Sequence, residues 1–181
     1  MPKYFTKGWE DAQKEREKLD QLGQLRKERA HATFWLKEGE EARIIFIDSE
    51  PFNIYEHKLQ VGNRYDSFLC TKEWEVCPIC QAFPKSRPSF VNYFTIIDTR
   101  SYIGADGKEY KNVRKLFGAK GAMQKMLFDI AKKKGGLTGL VCKVKRYSAT
   151  SPSSGDFIEV LGKVKDLKTV VTNKQDLVPY D

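Results

Sequence analysis

The spacing of three cysteines and a histidine constrains this chain more than any other feature. His57, Cys70, Cys77 and Cys80 follow the pattern H-x12-C-x6-C-x2-C, and the last two bound the turn Cys77-Pro78-Ile79-Cys80. A structural zinc ion takes four thiolate or imidazole ligands in a tetrahedron, and a C-x2-C turn delivers two sulfurs to one ion without backbone strain. Three cysteines packed so closely, two of them in such a turn, point to one structural zinc ion per chain. Cysteines can also pack simply as small hydrophobes. His57 is the expected fourth ligand, with Asp66 and His31 as alternatives. Because three of the four cysteines fit a metal pattern, a reducing compartment is expected and a disulfide framework is not.

Charge adds a second constraint through its distribution. The 181-residue chain carries a net +8. Residues 1–41 contribute nine basic and nine acidic side chains, which cancel. Residues 100–150 hold thirteen basic side chains against Asp106, Glu109 and Asp129, a local excess of +10. Positive charge confined to one segment reads as a polyanion footprint. No apolar run is long enough to span a bilayer and no signal-peptide pattern opens the chain, so a soluble, cytoplasmic protein is expected.

The pattern of residues divides the chain into three parts. Residues 9–30 favour a helix whose apolar marks (Trp9, Ala12, Leu19, Leu22, Leu25) are too sparse to build a core, so residues 1–33 read as a helical arm. From Phe34 onward, short β-type runs alternate with turn residues. Strands are expected at 34–36, 42–48, 90–99, 112–118, 140–147 and 157–164, with a helix over 120–134 that stops at Gly135. This order gives a mainly β, α+β chain and matches an OB-fold, a five-stranded Greek-key barrel. Residues 34–164 form that core, the zinc stretch 52–90 is an insertion between its first two strands, and residues 165–181 read as peripheral.

Alternation along 140–147 separates a core face (Leu140, Cys142, Val144) from a face with Val141, Lys143, Lys145 and Tyr147. Cys142 therefore reads as a core residue. In 112–118, Val113, Lys115 and Phe117 share one face, and Arg114 and Leu116 the other. Tyr102 and Tyr110 bracket a Gly-rich turn after Arg100. Lysines interleaved with aromatics suit single-stranded nucleic acid, because phosphates meet the cations and unstacked bases lie on the rings. The expected contact set is Arg100, Tyr102, Tyr110, Arg114, Lys115, Phe117, Lys143, Lys145, Arg146 and Tyr147. Phe46, Phe94 and Phe157 are expected in the core. Tyr65, Phe68 and Trp74 either pack around the metal or extend the platform.

Several of these segments, taken in order, resemble the zinc-containing bacteriophage single-stranded DNA-binding proteins. They are 34–40 (Phe-Trp-Leu-Lys-Glu-Gly-Glu), the His57 to Cys80 pattern, 96–100 (Ile-Ile-Asp-Thr-Arg), 115–118 (Lys-Leu-Phe-Gly) and 136–139 (Gly-Leu-Thr-Gly). The resemblance covers about residues 34–164 and implies an OB-fold core with a zinc subdomain. It also implies sequence-independent binding of single strands and roles in DNA replication, recombination and repair. Such proteins end in a long acidic tail that recruits partners, whereas here only Asp176 and Asp181 lie near the end. Partners expected on this basis are single-stranded DNA, neighbouring copies contacted through the arm, and replication or recombination proteins.

Enzymatic signatures are absent from the pattern. Two histidines, one already assigned to zinc, leave no Ser-His-Asp or Cys-His pair to argue, and no G-x-x-x-x-G-K-[ST] loop occurs. A four-ligand zinc has no open position for a reacting water. The competing expectation is a zinc-ribbon protein that contacts structured RNA or serves assembly of a protein complex.

Overall fold

A computed structural model describes residues 9, 13–14, 16–21, 33–104, 107–171 and 177. The chain divides into two units, residues 1–33 and 34–181. In the first, residues 9, 13–14 and 16–21 are helical, with Trp9 and Leu19 exposed. Leu22, Leu25 and His31 lie outside the described residues.

The second unit is mainly β, with few helices. Its strands are β1 (Glu41–Phe46), β2 (Phe52–Val61), β3 (Arg64–Leu69), β4 (Ser89–Asp98), β5 (Tyr102–Ile103), β6 (Glu109–Tyr110), β7 (Val113–Ala119), β8 (Leu140–Lys145) and β9 (Phe157–Lys163). An open antiparallel sheet runs β3-β2-β4-β1-β8-β9, with β7 on the other edge of β4, and β5 pairs β6 separately. One edge of β4 is shared: residues 89–93 pair with β2 and 96–98 with β1. At the join, the Ile47 N–H bonds the Thr95 carbonyl and the Thr95 N–H bonds the Asp48 carboxylate.

Two apolar layers sandwich the middle of the sheet. One face packs Ile44, Phe46, Phe94, Ile96, Cys142 and Val144 against Phe34, Leu36 and the long helix Ala122–Lys134 through Met123 and Leu127. That helix ends where Gly135 adopts a left-handed φ of 72°, a conformation glycine enters without steric penalty. On the other face Ile45, Ile47 and Ile97 are covered by Val141, Val164, Leu167, Val170 and Val171. Residues 165–171, expected to be peripheral, thus help to cover a second core through Leu167, Val170 and Val171.

Two further departures follow from local chemistry. Residues 34–36 are extended but make no ladder: the Phe34 N–H bonds Leu116, while the Leu36 N–H bonds Ser153. The zinc stretch, which lies between β1 and β4, contains two strands that were not expected. Its first half is the hairpin β2–β3, turning at Gly62 with φ 62°, and β2 extends the sheet. Polar residues occupy both faces of that hairpin, so it carries no period-2 apolar signal. Among the described residues no helix is long and apolar enough to cross a membrane.

Candidate metal centre and nucleic-acid interface

The β2–β3 hairpin and the knuckle that follows it assemble the metal ligands. His57 lies opposite Phe68, and the Cys70 N–H continues the ladder by bonding the Tyr55 carbonyl at 2.8 Å. Positions 57 and 70 therefore share a face by parity. Cys77 precedes the short helix Pro78–Ala82, where proline suits the first turn because its missing N–H would have no helical partner. That turn brings Cys80 back beside Cys77.

All four ligand atoms lie within 4.8 Å of one another. Cys70 Sγ is 3.7 Å from Cys80 Sγ, and His57 Nε2 is 3.5 Å from Cys77 Sγ and 3.3 Å from Cys80 Sγ. A tetrahedral zinc with bonds of roughly 2.0–2.3 Å separates its ligand atoms by about 3.5–3.8 Å, so these spacings approach the edges of such a site. His57 Nδ1 is 3.1 Å from the Ser86 carbonyl. A carbonyl only accepts, so this bond puts the proton on Nδ1 and leaves the Nε2 lone pair facing the sulfurs. Asp66 stands opposite Leu59, further along the hairpin from Cys70, and is outside the cluster. His31, the other alternative, lies outside the described residues.

The sulfurs also have the electrostatics of a cation site. A hydrogen bond from the Cys80 backbone is the main influence holding the Cys77 thiol down to about 6, against the burial that raises it. Burial, then the adjoining sulfurs of Cys70 and Cys77, push Cys80 up to about 11. Thiolates this close repel, and a divalent cation at their centre removes that obstacle to full ionisation. The donor set can hold a metal ion. Cys142 stands apart, fully buried in the sheet, and burial pushes its thiol up to about 12.

The expected nucleic-acid residues fall into two groups, with exceptions. Lys143 and Lys145 lie on β8, between β1 and β9, on the face away from the long helix, and Tyr147 follows that strand. Lys145 Nζ is 4.8 Å from the Tyr147 ring centroid, and Tyr147 meets Phe157 edge-on at 6.0 Å. Phe157, expected in the core, is half-buried and belongs to this aromatic group. In the second group Tyr102 and Tyr110 stack at 5.4 Å, and Lys115 Nζ is 5.4 Å from the Tyr102 ring. Arg114 is half-buried on β7.

Phe117 must be corrected. It shares parity with Lys115, but that face turns inward, and Phe117 is fully buried against Phe34 and Phe46. No base can reach it. Several cations are also already engaged. Arg100 bonds Asp98 and Glu40 and the Trp35 carbonyl, and Lys115 bonds Asp98 at 2.8 Å. Lys143 pairs with Glu159 at 3.1 Å. Arg146 donates to the carbonyls of Leu36, Ser148 and Ala149, clamping the β8–β9 loop to the segment before β1.

Two exposed residues were missed by sequence reasoning. Arg43 on β1 stands opposite Lys143 and carries no ion pair among the described residues. Alternation in β1 was the available signal: Ala42 and Ile44 are buried, so Arg43 points outward. Trp35 is 52% exposed, with its carbonyl pinned by Arg100. In the zinc hairpin and knuckle, Tyr65, Phe68 and Trp74 are exposed. No family model matches the chain, and neither a curated protein nor a solved structure shows significant similarity to it.

Proposed function

We propose that the chain is a single-stranded DNA-binding protein of the zinc-containing phage type. It coats strands without sequence preference during phage DNA replication, recombination and repair in the host cytoplasm. The observation that carries this reading is the grouping of rings beside cations: Lys145 with Tyr147 and Phe157 next to β8, and the stacked pair Tyr102 and Tyr110. Phosphates then meet Arg43, Lys143, Lys145 and Arg114, and bases lie on the tyrosines. Duplex DNA hides its base faces, so ring platforms select single strands.

In this reading β1, β4, β7, β8 and β9 are the five strands of an OB barrel. The pairing order β7-β4-β1-β8-β9 supports it. Between β7 and the β8–β9 loop, closure is bridged by Phe34, Leu36 and the Ser154 hydroxyl, which bonds the Gly118 carbonyl. Zinc is the proposed metal, since three thiolates and one imidazole suit it and leave it no open coordination position. Its role is to hold the hairpin, and no catalytic role is assigned to it.

Titration of labelled oligo-dT, matched duplex DNA and single-stranded RNA tests the proposal. Oligo-dT is expected to bind at least about tenfold more tightly than duplex, with strong salt dependence. Equal or stronger binding of duplex or structured RNA would overturn it.

A further inference from the structure

A groove runs beside the long helix, on the face of the sheet opposite Lys143 and Lys145, and the proposed DNA interface does not use it. Its volume is about 620 Å³, within the usual range of binding clefts. The floor is made by Phe94, Leu127, Ala131 and Leu137. The rim is Phe128 and Lys132, one helical turn apart and therefore stacked along the same stripe. Across from them lies the connection between β1 and β2, residues 49–51, with Glu50 the one carboxylate in the lining.

Phe128 is 68% exposed, although it follows the buried Leu127 directly. The helix carries Lys125, Lys132, Lys133 and Lys134 against Asp129 alone. Its last three lysines are exposed, and none is ion-paired among the described residues. An exposed ring, an apolar floor and an unneutralised cluster of lysines at one end define a complementary ligand. That ligand needs a large apolar side chain for the floor and carboxylates for the lysines. Nucleic acid fits less well, because Phe94 in the floor is buried and offers no open face to a base, and Glu50 would face the phosphates.

We infer that this groove docks an acidic segment of a partner protein, with one bulky apolar residue set among carboxylates. The apolar residue packs between Phe128 and Leu137, and the carboxylates lie toward Lys132–Lys134, away from Glu50. This is helix-face recognition, in which apolar anchors give affinity and charge gives orientation. It does not depend on whether the opposite face binds DNA.

Fluorescence anisotropy on the full chain tests the proposal with a short labelled peptide that flanks a Phe-Leu pair with Asp residues. Saturable binding is expected, weakened by about tenfold or more in Phe128→Ser and in Lys132→Glu. A peptide with Lys in place of Asp should not bind. Phe128 is exposed and Lys132 lies on the surface, so both variants should keep their zinc content and thermal midpoint. The proposal is overturned if no saturable binding occurs, or if both variants bind as tightly as the unaltered protein. It is also overturned if a one-site oligo-dT displaces the peptide, which would assign the groove to nucleic acid.

Discussion

Lys115 Nζ lies 2.8 Å from Asp98 Oδ2, and the Asp98 side chain is 1% exposed. Arg100 reaches the same oxygen at 2.8 Å. Burial alone would raise the Asp98 carboxyl, but hydrogen bonds from Arg100 and Lys115 reverse the sign and hold it below the usual carboxylate range. A depressed folded value stabilises above the unfolded value, about pH 3.9, and that stabilisation is lost as pH falls through the folded value. Asp98→Asn should therefore lower urea stability at neutral pH by about 3 kcal/mol, because it leaves two partly buried cations without their counter-charge. The difference from the unaltered protein should shrink below about pH 4. An unchanged difference at acid pH would show that Asp98 is not the titrating group.

Internal pairing also predicts which cations set the salt dependence of strand binding. Arg43→Ala and Lys145→Ala should each reduce the log–log salt slope by about 0.7, the value for one phosphate contact on a single strand. Lys115→Ala should act mainly on folding, since its ammonium is tied to Asp98. Tyr147→Ala should remove about 1–3 kcal/mol of affinity without altering the slope. Titrations at several salt concentrations separate these effects, and a slope unaffected by Arg43→Ala would remove that residue from the interface.

The metal centre makes a prediction about order of unfolding. Protein purified without added metal should contain about one zinc per chain, and Cys77→Ser or Cys80→Ser should abolish it. Chelation should expose the β2–β3 hairpin while the sheet between β1 and β9 persists. Elemental analysis and limited proteolysis provide the readouts, and less than about half a zinc per chain would count against the site.

The N-terminal arm is proposed to contact a neighbouring copy along the strand. Removing residues 1–30 should leave zinc content and one-site oligonucleotide affinity nearly unchanged. Binding to long strands should weaken and lose its sigmoidal shape, because neighbour contacts raise effective concentration. Unfolding of the shortened chain would instead make the arm part of the domain, and unaltered long-strand binding would make it a bystander.

Much of this architecture is legible from residue alternation. Strands around Ile44, Ile96, Leu116, Val144 and Ile158 are evident because apolar residues recur at the period of a packed sheet, and Gly135 marks the helix end. The hairpin is harder to read, since Glu56, His57, Lys58, Gln60, Asp66 and Ser67 obscure the period. Its legible sign is Gly62-Asn63, a two-residue turn between β-type runs. The metal ligands are visible because their chemistry depends on residue type and spacing. Phe117 is not, because parity separates two faces without saying which is inner; Phe117→Ala should cost about 3–5 kcal/mol of stability, as for a core aromatic. Nor can sequence show that Asp98, buried at the end of β4, claims Arg100 and Lys115.

The shared edge of β4 has an architectural consequence. At Thr95 one neighbour strand gives way to the next, and Ile47 and Asp48 saturate both backbone groups at the junction. The chain passes from one ladder to the other without leaving that edge, as a train crosses points onto a branch line. Lengthening or shortening the hairpin beyond the junction shifts no register in β1, β8 or β9. The metal-bearing branch is thus free to change in size across evolution while the trunk of the sheet keeps its alignment.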